Sequence, residues 1–156
     1  MEAEILQPKI TYDDFLDAVE LQMHIHGTLH IEPHHAFTPG LYTRSIVNIP
    51  PNVWLLSHVH KTEHQFILSK GNLVIFSKDG QMKLYGAPYI GKTRSGTRRL
   101  ALTTSYVTWT SIHATSIYPK NKTKKALNEA IKEVEAELFA NHENVFLIKR
   151  MEELAA

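Results

Sequence analysis

The chain contains no cysteine, so disulfides and thiolate metal sites are both excluded, and any transition metal must be held by nitrogen and oxygen donors. No apolar run approaches the roughly 20 residues that a membrane helix requires, so a membrane is not an expected partner. Neither sign of charge is in excess: 17 Lys and Arg stand against 16 Asp and Glu, a formal charge of +1. That balance argues against a nucleic-acid surface driven by bulk charge. There is no GxGxxG, P-loop, nucleophile elbow or zinc-finger spacing, and no internal repeat or low-complexity segment. Met1 to Ile5 lacks the basic-then-apolar order of a signal peptide, which makes the cytoplasm the expected compartment. What is present is ordinary bulk, with 156 residues, 43% hydrophobic and 21% charged, enough for one soluble domain with end extensions. The unusual component is histidine, whose ten copies exceed what packing requires.

Three of the histidines and a carboxylate fall within seven residues, in His58-Val-His60-Lys-Thr-Glu63-His64. On one continuous strand, side chains alternate faces, so His58, His60 and His64 project to one side while Val59, Lys61 and Glu63 project to the other. Neutral imidazole is the commonest ligand for zinc, iron, copper and nickel, and ligands converging from one strand are partly organised before a metal arrives. The alternative is an exposed strand whose histidines bind nothing.

The segment continues to Gly71 and resembles the first motif of the cupin superfamily, G(x)5HxH(x)3-4E(x)6G. His58 and His60 match its HxH, and Gly71 follows His64 after six residues. His64 stands where cupins carry a ligand glutamate, and Glu63 could supply the carboxylate through a bulge. The second motif, PxG(x)2H(x)3N, is matched loosely by Ser95 to Arg99. There Arg99 replaces the ligand histidine and cannot bind a metal, because it stays protonated and has no lone pair to give. His113, one strand later, is the replacement ligand. A narrower resemblance, over about residues 42 to 115, is to small cupin-like proteins encoded by bacteriophages and prophages. It is carried by His60-Lys-Thr-Glu63-His64, Ile67 to Gly71, Ala87-Pro-Tyr89, Gly96 to Arg99 and Trp109 to His113. The family's proline before Gly96 and the acidic pair before the tryptophan are missing. The resemblance implies a cupin fold and a divalent metal (iron, manganese, nickel or zinc) and shifts weight to His60, Glu63, His64 and His113.

Thr11 to Asp14 reads as a helix cap, followed by Phe15, Leu16, Val19 and Met23 at helical spacing, which predicts a helix over about 12–22. His24, His26, His30, His34 and His35 then alternate with apolar residues. They form either an edge strand and loop or a second metal site, the second reading being weakened where Gly27 and Pro33 break a common face. From Leu41 to Ile117 strands recur between turn signals, with Lys78-Asp-Gly80 marking a hairpin. The rhythm predicts a mainly β protein, a cupin-like double-stranded β-barrel or jelly roll over 41–118, flanked by a helix and His-rich extension (1–40) and a C-terminal amphipathic helix and tail (119–156). The C-terminal stripe is Leu127, Ile131, Val134 and Leu138, with Asn141 as its cap. Val145 to Ile148 could add a strand.

Trp54, Phe66, Phe76 and Trp109 are expected in the core. Arg98 and Arg99 are adjacent and so point to opposite faces, and the inward one is either an anion clamp or a salt-bridge partner of Glu63. Three functions follow: a metalloenzyme acting on a small anionic or hydroxylated compound, a small-ligand binding module, or an assembly protein of a phage particle. A homodimer is expected, since sheet edges and terminal stripes exceed what one small barrel covers.

Overall fold

A computed structural model describes residues 11–26, 29–76, 81–140 and 145–147. Its strands are β1 (His34–Thr38), β2 (Leu41–Ile49), β3 (Trp54–Leu56), β4 (Val59–His60), β5 (His64–Lys70), β6 (Asn72–Phe76), β7 (Met82–Gly86), β8 (Tyr89–Thr93), β9 (Leu100–Thr103), β10 (Val107–Ala114), β11 (Phe139–Ala140) and β12 (Val145–Leu147). Two helices, α1 (Tyr12–His26) and α2 (Lys124–Leu138), flank them. One five-stranded sheet has the order β1-β2-β10-β5-β8, and the other has β12-β3-β9-β6-β7. The pairing is nested: β2 with β10, β3 with β9, β5 with β8 and β6 with β7, all antiparallel. A long hairpin of that kind, rolled so that alternate pairs fall in alternate sheets, is a jelly roll.

Between the sheets lie Ile46, Ile49, Val53, Leu68, Leu73, Ile75, Ala101 and Val107, all buried. The outer face of the second sheet is covered by α1, whose Leu16, Val19 and Met23 pack on Trp54, Leu56 and Leu100. Full burial of Leu16 and Met23 stabilises the fold by roughly 1.5 to 3 kcal/mol each. Thr11 caps this helix through its side-chain oxygen, which accepts from the Asp14 amide at 3.1 Å. The helix runs to His26, four residues past the predicted end, because Met23 completes the Leu16, Val19 stripe.

The second helix is capped by Thr123, whose hydroxyl accepts from the Ala126 amide. Its buried residues are Ala126, Ala130, Val134 and Leu138, so the stripe is rotated from the predicted one; Leu127 and Ile131 sit at its margin. Small alanines bring the helix close to the barrel, where Val134, Leu138 and Phe139 pack on Tyr42. The predicted Asn141 cap and the Lys78-Asp-Gly80 turn lie outside the described residues. The glycine that closes the first motif has a plain structural cause. Gly71 has φ +82°, and a Cβ there would stand 2.0 Å from the Tyr106 carbonyl oxygen.

Candidate metal centre

Three strands deliver the histidines. His60 ends β4, His64 begins β5 and His113 lies near the end of β10. The chain does not run as one strand from 58 to 64; it bends at Lys61 and Thr62, so His60 and His64 face each other across the bend. Their ring centres are 4.3 Å apart, and that of His113 lies 4.2 Å from His64 and 6.1 Å from His60. One nitrogen from each falls within 4.8 Å of the others, and among the described residues this is the only such group of three or more potential ligands.

His58 is not in the group. It is buried, with Phe139 stacked on its ring at 4.2 Å. Phe139 comes from the end of α2: β11 pairs Phe139 with His60, and the ring packs edge-on against His60 and His113. Glu63 lies outside as well, half-exposed and paired with Lys92 at 3.2 Å.

Burial decides the protonation of the cluster. It pushes His60 down to about 2, with His64, His113, His58 and Arg99 adding repulsion. It pushes His113 down to about 3, with His64 and Arg44 adding to it. His64 is lowered by burial and by Arg99, against the upward pull of its bond to Thr62. All three are therefore neutral near pH 7 and carry a free lone pair, the form that binds metals. The bond fixes one tautomer: His64 Nδ1 is 3.3 Å from the Thr62 carbonyl oxygen, which can only accept, so Nδ1 carries the proton and Nε2 is left to ligate. Among the described residues, His60 Nδ1 and both ring nitrogens of His113 are buried without a hydrogen-bond partner. Orphaned ring nitrogens of this kind are costly, and a metal would satisfy the one on each ring that carries the lone pair, so the residues fit a metal.

The cluster opens onto a cavity of about 90 Å³ between the sheets, lined by Arg44, Ser57, Arg99, Trp109 and Ser111 among others. Strand alternation separates the adjacent arginines. Arg99 shares its face with Ala101 and reaches the cavity, its guanidinium 5.3 Å from the centre of the Phe66 ring and donating to the Lys92 carbonyl at 3.3 Å. Arg98 shares its face with Leu100 and points out under α1, bonded to Asp17 at 2.9 Å and Glu20 at 2.6 Å. Neither arginine pairs with Glu63, and Arg98 is no part of the cavity.

No protein-family model matches the chain, and no curated protein matches it. Solved structures do. A Neisseria meningitidis protein is 8% identical, with 61% of this chain and 96% of that one covered and a TM-score of 0.48. A cupin-2 domain protein from Shewanella frigidimarina is 17% identical, covering 65% and 92%, at 0.46. A cupin with a double-stranded β-helix fold from Methanocaldococcus jannaschii is 14% identical, covering 55% and 82%, at 0.45.

Sequence reasoning missed Arg44 and Phe139. Arg44 had a signal, since it falls on the inward positions of β2 between Tyr42 and Ile46. Phe139 had none, because only the return of α2 brings it there. In the His-rich extension, His34 and His35 lie on the edge strand β1, His30 pairs with Glu32 at 2.6 Å, and His35 Nδ1 is 2.6 Å from the Tyr42 hydroxyl. His24 and His26 instead belong to the last turns of α1, so only His30 to His35 reads as loop and edge strand, and the His26 side chain lies outside the described residues.

Proposed function

We propose that this is a cupin-type protein that holds one divalent metal through His60, His64 and His113 and uses the cavity beside it for a small anionic or hydroxylated ligand. The observation that carries the reading is a set of three neutral imidazoles, His64 and His113 buried and His60 partly so, with one nitrogen of each within 4.8 Å of the others and with unpartnered nitrogens on His60 and His113. Three neutral ligands suit iron, manganese, nickel or zinc, and the donor set does not choose among them. His58 and Glu63, once candidates to complete the set, have other partners, so the remaining positions belong to water or ligand. A metal held this way would supply Lewis-acid polarisation of a bound oxygen. The chain's own contribution is a water-poor pocket, a fixed His64 tautomer and the Arg99 charge. Turnover and simple binding both fit that contribution.

The residue pattern from His60 to His113 supports a place among the small cupin-like proteins of bacteriophages and prophages, acting in the host cytoplasm. Metal analysis of protein purified without a histidine tag tests the core of the proposal. About one metal per chain is expected in wild type, with most of it lost in His60→Ala. Metal-free protein that also fails to take up iron, zinc, nickel or manganese would overturn it.

A further inference from the structure

The strands that carry the histidines also divide the cavity into a charged end and an apolar end. In the register of β2 with β10, His113 lies opposite Tyr42, Ser111 opposite Arg44, Trp109 opposite Ile46 and Val107 opposite Ile49. Each two-residue step moves about 6.5 to 7 Å along a strand. The imidazoles and Arg44 therefore stand at one end, and Ile46, Ile49 and Val107 at the other. The facing sheet has the same order, with Arg99 preceding Ala101, which pairs with Ile75.

Both cavity arginines have unused capacity. Among the described residues Arg99 forms no ion pair. Arg44 Nε is sealed from solvent with no hydrogen-bond partner, and its guanidinium lies 6.0 Å from the centre of the Phe139 ring. One carboxylate, Glu135 on α2, acts on Arg44 electrostatically. Buried donors left unmade are costly, and a planar anion is the group that satisfies two guanidinium forks at once.

We propose that the cavity binds a small monocarboxylate with a short aliphatic tail, the carboxylate held between Arg44 and Arg99 beside the three histidines and the tail lying against Ile46 and Ala101, the next inward positions of their strands. The ligand class deepens the metal-site reading and rests on it for one neighbour of the carboxylate; the arginines and the apolar end stand without it. Inorganic phosphate would use the charged end and leave the apolar end empty.

Calorimetric titration of the full chain, metal-stripped and zinc-loaded, with isovalerate, acetate, isovaleramide and inorganic phosphate is the test. Isovalerate should bind tightest, gaining about fourfold per buried methylene over acetate, and isovaleramide should not bind measurably. Arg44→Met and Arg99→Met should each weaken isovalerate about tenfold or more, with zinc content retained. Should either variant fail to fold, Ala101→Val narrows the apolar end and should weaken isovalerate more than acetate. Equal binding of acid and amide, phosphate outcompeting isovalerate, or arginine variants that bind like wild type would overturn the proposal. Zinc uptake without isovalerate binding removes the carboxylate site and leaves the metal reading. Isovalerate binding lost in Arg99→Met, in protein that takes up no metal, does the reverse.

Discussion

Replacing Arg98 by methionine separates a structural arginine from a ligand-binding one. The Arg98 side chain is 5% exposed, and it joins two carboxylates that differ in their access to water: Asp17 is 65% exposed and Glu20 19%. Breaking a buried pair costs roughly 3 to 5 kcal/mol because a charge is left uncompensated. Asp17 can rehydrate, so its share shrinks to that of a surface pair, below about 1 kcal/mol. Glu20 cannot do so fully, and its hydrogen bond to a charged donor is worth about 1.5 to 3 kcal/mol. The expected loss is therefore about 2 to 4 kcal/mol, a fall in Tm of roughly 5 to 15 °C for a chain of this size. Urea and thermal unfolding of Arg98→Met would measure it, with Glu20→Gln completing a double-mutant cycle whose coupling should reach about 1 kcal/mol or more. Metal content and ligand affinity of the folded variant should match wild type. A stability loss under about 1 kcal/mol, or lost ligand binding with stability intact, would refute the assignment and return Arg98 to the cavity.

Acid should destabilise metal-free protein more than its carboxylates explain. His60 and His113 titrate near 6.5 when unfolded but only near 2 and 3 when folded, so below 6.5 the unfolded chain binds protons that the native state refuses. The stability is fully present above that pH and falls as pH drops, by up to about 1.4 kcal/mol per pH unit for each imidazole. Urea midpoints in chelator should decline from about pH 7 to about pH 5, and the decline should flatten in His113→Phe; midpoints that do not move across that range would contradict the burial argument. The homodimer is proposed through the outer face of the first sheet, where Ile90 is 68% and Val47 39% exposed and, among the described residues, no helix packs, whereas α1 covers the other sheet. Light scattering should give twice the chain mass, falling to one in Ile90→Lys; a wild-type monomer at micromolar concentration would reject it.

What was legible in the sequence was what two-residue alternation and turn chemistry write locally. The inward parity of Val107, Trp109, Ser111 and His113 is visible without a structure, and so is the Thr11 cap. Strand β8 was not, because Tyr89 to Thr93 shows no apolar alternation. Its reason is tertiary: a Cβ on Gly91 would stand 2.3 Å from Phe66 Cζ, so the position is read by the ring opposite, not by its own neighbours. The α2 stripe was misplaced for a related reason. Leucine and isoleucine mark hydrophobicity, but closeness to the barrel selects Ala126 and Ala130.

The site itself follows from where the strand model failed. Had the chain stayed extended from His58 to His64, His60 and His64 would have stood about 13 Å apart along one face, too far to share one ion. The bend at Lys61 and Thr62 instead takes the chain out of the short β4–β11 pair and into the first sheet, and folds His64 back onto His60. Two backbone bonds hold β4 in place: the Lys61 amide to the Leu138 carbonyl at 2.8 Å, and the Gly96 amide to the His60 carbonyl at 2.6 Å. The C-terminal helix is thus tied to the same bend that makes the cluster, and the Phe139 ring it delivers covers His58. The same ring that stacks on His58 also packs edge-on against His60 and His113, and the burial it adds to favours their neutral form.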